Sequence, residues 1–423
     1  MDRSTNSTDH FSRLPIDLFV PIIFLSFDTS DPVERLIRVQ GLRLVNRAWR
    51  AAIDSTPLFW ACIPNEPSSD PETIQGWIKK SGEASLHILS TGRCRPLGAF
   101  MPFITPHAHR WRVLELSGDS VFISRHIKKP VPRLERLDLS LVSISRDTAV
   151  FEGVHPVLSA VALRIVTLPN DIAFLNNLRD LTLQGVSGPL GTLPLSQLYQ
   201  VLACSSNLEQ LELDAGFIVD MPQPPPILFT YLASFRLASY INRPRCAAAL
   251  LAMIHAPNVT HLDIHFHGIP IPAAFNIFSP RTVQQLRQAS HLIIDMPFNT
   301  FHLSTGRENV TIKLSYYADI MEVPVKMLRE TERLIPSSAA VDILIHHARH
   351  SMGVFNHLKS SGVAGHPLPG LRKVHLIVFR QYSLPYKNLV ADLARARPDI
   401  AKIIVQRRPD YESEGQLLRW DTE

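Results

Sequence analysis

An α/β chain is what this sequence predicts, with a small helical module at the N-terminus and a long, irregular solenoid of short parallel strands after it. Three observations carry that expectation. The stretch from Leu14 to Trp60 is densely apolar at helical spacing. From about residue 111 onward one pattern, apolar-x-x-apolar-x-apolar, keeps returning. Its copies lie 20 to 31 residues apart, the period of stacked supersecondary units that pack on their neighbours.

The composition suits such a chain. Among 423 residues, 45% are hydrophobic and 19% charged, a globular balance. The formal charge is +5, from 43 basic against 38 acidic residues, and the sequence pI is about 9.1. That excess is too diffuse to point to nucleic acid. Cys62, Cys94, Cys204 and Cys246 are scattered with no CxxC pair, so neither a disulfide framework nor a thiolate metal site is expected. The polar opening MDRSTNSTDHFSR has no apolar signal core, and no apolar run approaches the ~20 residues of a membrane span. The expectation is a reduced intracellular chain, cytoplasmic and/or nuclear, with no membrane partner.

The head covers residues 12–62. Pro15 suits a first helical turn. Leu14, Leu18, Ile22 and Leu25 follow at spacings of four, four and three, which places them on one helix face. Ile23, Phe24 and Phe27 widen that stripe. Asp28 to Pro32 reads as a turn carrying caps for a second helix. Val33, Leu36, Ile37, Leu42, Val45, Ala48 and Trp49 supply the apolar positions of that helix and the next. Thr56-Pro57 stops the helices, and Leu58, Phe59 and Trp60 fold back on them. About fifty residues cannot easily bury this much apolar surface alone, which suggests a partner.

LPIDLFVPIIFLSF, then LRLVNRAWR, then STPLFW resembles the F-box, in the style of large fungal families. Leu14 and Pro15 match that family's opening pair. Leu18, Ile22 and Ile23 match its helix-face positions, Leu42, Val45 and Trp49 its second half, and Trp60 its closing tryptophan. The resemblance covers about fifty residues and implies docking to a Skp-type adaptor, which joins a cullin–RING ubiquitin ligase core. One departure is Pro21, which stands where the family has a helix former. A proline there removes one backbone hydrogen bond and should kink the helix, at about 3 kcal/mol if not accommodated. A helical cap on the repeat array is the other reading of the head.

Residues 63–108 form a joint. Pro64, Pro67 and Pro71 mark a linker, Glu72 to Lys80 an amphipathic helix, and Leu86 to Leu89 a strand. The array spans 109–408. Its better copies run from Trp111 to Leu116, Leu134 to Leu139, Leu158 to Leu163, Leu178 to Leu183, Leu208 to Leu213, Leu232 to Leu237 and Val259 to Ile264. Weaker ones end at Ile294, Leu314, Ile345, Leu376 and Val405. PRLERLDLS, SNLEQLELD and PNVTHLDIH resemble a degenerate leucine-rich repeat, which implies a horseshoe with its sheet on the concave side. The family's turn asparagine is replaced by Val142, Val186 and Gly216, so the turns must satisfy their backbone groups otherwise. The variable spacing also permits an unrelated α/β fold of alternating strands and helices. Pro222 to Pro226 reads as a loop insertion, and residues 409–423 as a polar C-terminal tail.

Alternation along each strand gives the outward positions. They include Glu115, Asp138, Ala162, Thr182, Glu212, Arg236 and Asp263, with Ser117, Ser140, Arg164, Gln184, Asp214 and His265 in the next row. Glu115, Asp138, Glu212, Asp214, Arg236 and Asp263 are the candidate substrate-binding residues, forming a mostly acidic face suited to a basic protein segment. An ordinary solvated strand face is the alternative.

No phosphate loop, dinucleotide fingerprint or nucleophile elbow occurs. His261, His265 and His267 cluster, as do His346, His347 and His350, but residues along one strand splay apart. No catalytic residue, cofactor or metal is expected. The function implied by the resemblance is a substrate-recognition subunit of an SCF-type cullin–RING ubiquitin ligase that binds an unspecified protein target. A non-ligase interaction scaffold is the runner-up. A nucleic-acid partner, prompted only by the pI, is not expected.

Overall fold

The computed structural model describes residues 16–26, 32–67, 69–90, 96–118, 125–144, 148, 150–151, 157–188, 191–214, 217–218, 220, 225–239, 249–250, 252–256, 258–259, 261–267, 291–296, 300–307, 310–317, 328–329, 340–345, 348–360, 370–379 and 386–408. The chain forms two compact units, Met1–Leu193 with Gln200–Ser205, and Pro194–Tyr199 with Ser206–Glu423.

In the first unit three helices come first: α1 (Ile16–Ser26), α2 (Pro32–Leu42) and α3 (Arg47–Ser55). Asn46 caps α3, its side chain accepting from the Trp49 amide at 2.8 Å. A 3-10 turn at Pro57–Trp60 leads straight into β1 (Cys62–Pro64). Helix α4 (Pro71–Lys80) follows, with Asp70 as its cap and Pro71 in its first turn. Then come β2 (Leu86–Ser90), α5 (Leu97–Ile104), a 3-10 turn at Thr105–Arg110, β3 (Trp111–Ser117), β4 (Arg136–Ser143), β5 (Ala160–Thr167) and β6 (Asp180–Gln184). These strands pair in parallel and in chain order, β1–β2–β3–β4–β5–β6.

The core of this unit is built by alternation. Leu114 and Leu116, Leu137 and Leu139, Val161 and Leu163, and Leu181 and Leu183 are all buried, while the residues between them are not. Full burial of one such side chain contributes about 2 kcal/mol. A short antiparallel hairpin, β7 (Ser187–Gly188) with β8 (Gly191–Pro194), follows, and then α6 (Leu195–Ala203).

The second unit continues with β9 (Gln210–Asp214), β10 (Phe217–Ile218), β11 (Ile227–Leu228), β12 (Ser234–Ser239), β13 (Ile254–His255), β14 (His261–His267), β15 (His291–Met296), β16 (Thr300–Arg307), β17 (Val310–Tyr317), β18 (Ala340–Ile345), α7 (Ala348–Lys359), β19 (Leu371–Phe379), α8 (Tyr386–Ala396) and β20 (Lys402–Arg408). β9, β12, β14 and β17 pair in parallel. β17–β16 and β16–β15 are antiparallel, and the parallel order resumes through β18, β19 and β20. Arg397 is fully buried and holds Asp399 through Nε at 2.8 Å and Nη2 at 2.7 Å.

The α/β class holds, but the horseshoe of irregular leucine-rich repeats does not. In a solenoid each repeat packs only on its chain neighbours. Here β14 pairs with β17, and β15 pairs with β18, across an antiparallel meander. The connections in the first unit also lack a common unit. A helix joins β1 to β2, a helix and a 3-10 turn join β2 to β3, and a three-residue 3-10 turn (Ala173–Leu175) stands between β5 and β6. The helical head is not joined to a solenoid either. Its last turn runs directly into the first strand of the sheet, and Ile53, Trp60 and Ile63 are all buried. The fold is a mostly parallel α/β sheet structure.

Candidate functional site

The N-terminal helices leave an unusual amount of apolar surface in water. On α1, Leu18 is 53% exposed, Ile22 45% and Leu25 81%. Their spacing of four and three places them in one row. Ile37 on α2, Leu44 and Val45 in the following turn, and Leu58 in the 3-10 turn are exposed as well. Ile23 is the inward counterpart, at 7% exposure. A stripe wider than one helix face must turn part of itself to the core, and on α1 that part includes Ile23.

Of the expected adaptor-binding residues, Leu18, Ile22 and Val45 are therefore exposed, Leu42 and Trp49 are half-buried, and Ile23 belongs to the core. Leu14 and Pro15 lie outside the described residues. Leu25, Ile37, Leu44 and Leu58 were not singled out as docking residues. For Leu25 the signal was present, three residues beyond Ile22 on the same face.

Beneath these helices, charge and aromatic packing join four segments: the turn after α2, α3, the 3-10 turn and α4. Trp60 is buried and its indole Nε1 donates to the Ile53 carbonyl at 3.0 Å. Lys80 Nζ lies 4.0 Å from the Trp60 ring centroid and the Arg43 guanidinium 5.2 Å. Asp54 meets both cations, at 2.8 Å from Lys80 Nζ and 3.0 Å from Arg43 Nε. Burial pushes the Asp54 carboxyl up, but hydrogen bonds from Lys80 and Arg43 outweigh it and hold the group below its ordinary value.

The expected acidic face resolves into paired charges. Glu115, Asp138, Ala162 and Thr182 are register partners across β3, β4, β5 and β6, as alternation predicts. Glu115 lies 3.3 Å from His87 Nε2 and 3.9 Å from Arg136 Nε. The His87 contact is the main cause holding its carboxyl below the ordinary value, against burial, and the charges of Arg136 and Arg164 add to it. Both carboxylate oxygens of Asp138 accept from Arg164 Nη1 at 2.7 Å. Glu212 on β9 pairs with Arg236 on β12 at 3.2 Å. Asp214 is half-buried on β9. Asp263 stands in register with Arg236 and Lys313 on β14, and its side chain lies outside the described ones. Charge complementarity to a ligand is weakened wherever neighbouring strands already neutralise each other.

Among the described residues no group of three or more His, Cys, Asp and Glu side chains could hold a metal ion. The rings of His265 and His267, and residues His346 and His347, lie outside what is described. No helix among the described residues is long and apolar enough to cross a membrane. No protein-family model, curated protein or solved structure matches this chain.

Proposed function

We propose that this chain is a substrate-recognition subunit of an SCF-type cullin–RING ubiquitin ligase. Its N-terminal helices dock a Skp-type adaptor, and its strand-rich body holds a target protein. The observation that supports this reading is the apolar row Leu18, Ile22 and Leu25 left in water on α1, within a stretch whose motif order resembles the F-box. Such a row on a short helix is suited to a hydrophobic groove on a partner. The chain then needs no chemistry of its own. Holding acceptor lysines near a charged transfer enzyme raises their effective concentration. Action in the cytoplasm and/or nucleus belongs to the same reading.

The test is co-expression of the full chain with a Skp-type adaptor, followed by size-exclusion chromatography. Wild type should co-elute with the adaptor. Burying two large aliphatic side chains is worth about 4 kcal/mol together, so Leu18→Glu/Ile22→Glu should weaken the complex by at least ~100-fold and abolish co-elution. Both positions are exposed, so the variant should keep the wild-type circular dichroism and melting curve. A folded wild-type chain that elutes alone sinks the proposal.

A further inference from the structure

A second feature of the first unit has no part in adaptor docking. A cleft of about 620 Å³ opens beside α4, at the corner where α5 passes into the Thr105–Arg110 turn. Its lining has two characters. Ile78, Phe103 and Pro106 supply apolar surface, and Lys79, His107, His109 and Arg110 supply positive or protonatable groups. Glu83 contributes an acidic group to the same lining.

Arg110 is the residue that asks for a ligand. It is only 3% exposed. Its Nε donates to the Ala84 carbonyl at 3.0 Å and its Nη2 to the Ser81 hydroxyl at 2.6 Å. That hydroxyl donates in turn to the Ile78 carbonyl at 2.7 Å, so the guanidinium is braced against the end of α4. Both acceptors are neutral. Among the described residues no carboxylate pairs with Arg110, and its Nη1 makes no hydrogen bond. A buried cation that touches no carboxylate, with only the charge of Glu83 nearby to offset it, is costly, and a planar guanidinium held rigid on two sides is pre-organised for an oxyanion. His107 reports the same field. Burial, and then the charges of Arg110 and His109, hold its pKa below the ordinary value, with Glu83 opposing. At Arg110 burial is the largest influence and lowers the pKa, the charge of Glu83 opposes it, and the charge of Arg133 adds a smaller lowering.

We propose that this cleft binds an oxyanion carried on an apolar body, the anion meeting Arg110 with Lys79 and His109 and the body lying on Phe103 and Pro106. An apolar shelf beside a few convergent polar groups is the usual make-up of a small-ligand or side-chain pocket.

The experiment titrates the full chain with benzenesulfonate, a monoanion at every pH used, beside sulfate and neutral benzamide, by calorimetry at constant ionic strength. Benzenesulfonate should bind at least ~10-fold more tightly than sulfate or benzamide. Lys79→Gln and His109→Gln, both at exposed positions, should each weaken it about 3- to 5-fold, and Arg110→Gln should abolish it. Should Arg110→Gln fail to fold, the two exposed variants still decide. Benzenesulfonate that does not bind, binds no better than sulfate or benzamide, or binds the two exposed variants as well as wild type would overturn the proposal and leave Arg110 as a brace for the end of α4.

Discussion

Trp60 shows how one residue can hold a region whose surface is otherwise apolar and exposed. Its ring is almost fully buried, its indole N–H is satisfied by Ile53, and Lys80 and Arg43 lie over its faces. Magnitudes decide which of these matters most. Truncating a buried tryptophan costs about 3–5 kcal/mol through lost burial and the cavity left behind. The ion pairs of the half-exposed Asp54 are worth about 1 kcal/mol, since solvent screens them. Trp60→Ala is therefore expected to lower stability by about 3–5 kcal/mol and Asp54→Asn by only about 1 kcal/mol at pH 7, read from urea denaturation. The acid dependence of the second effect has a definite sign. Asp54 has a lowered folded pKa, so its contribution is complete above the unfolded value near 3.9 and is lost as pH falls through the folded one. Wild type and Asp54→Asn should thus converge in stability as pH falls progressively below that unfolded value. A difference that persists undiminished there would show that the carboxylate charge is not what the site uses.

At the scale of elements, the strands were legible and their turns were not. Every copy of the repeating apolar pattern, from the one ending at Leu116 to the one ending at Val405, falls on a strand, because alternation inside a buried sheet writes itself directly into sequence. The exposed apolar row on α1 was legible only in part. Helical spacing finds Leu18 and Ile22, but it cannot say which side of a broad stripe faces the core, and so Ile23 was placed outside. Nothing announced the backbone breaks that interrupt or end these strands. Gly118, Leu141, Ile165 and Gly185 all have positive φ, at 119°, 58°, 54° and 57°. They directly follow Ser117, Ser140, Arg164 and Gln184, which are register partners. This left-handed row redirects the chain where a turn asparagine was missing, and it frees amides such as those of Gly118 and Ile144 to bond the Ser140 and Thr167 carbonyls, each at 3.1 Å. Leucine and isoleucine are poor choices for such a backbone, so no sequence signal marked them. Ile165 is 62% exposed and gains little from burial, whereas a left-handed conformation costs an L-residue roughly 1–2 kcal/mol. Ile165→Asn should raise stability by about 1 kcal/mol, because asparagine tolerates this conformation. A loss of stability in thermal and urea unfolding would mean that the Ile165 side chain contributes more than its backbone costs.

On the scale of the whole molecule, local patterns identify strands without ordering them in space. The pattern copies ending at Ile264 and Ile294 are successive in sequence, so chain-order stacking would set β14 beside β15 and His265 opposite Asp295. The observed order is β14–β17–β16–β15. The strand β16 that makes this possible carries no copy of the pattern, and an antiparallel meander needs only short connections, which leave little trace in spacing. Cross-linking separates the two arrangements. His265 and Ser315 are register partners on adjacent parallel strands, which puts their Cα atoms about 5 Å apart, inside the range a disulfide spans. His265 and Asp295 are three strands apart, or roughly 14 Å at the usual strand spacing, beyond the ~7 Å limit. In a background with Cys62, Cys94, Cys204 and Cys246 changed to serine, His265→Cys/Ser315→Cys should form an intramolecular disulfide on mild oxidation, seen as a shift in non-reducing electrophoresis and a linked peptide in mass spectrometry. His265→Cys/Asp295→Cys should stay reduced. The opposite result would restore chain-order stacking, because no local adjustment of one strand could carry β15 across the two strands that separate it from β14.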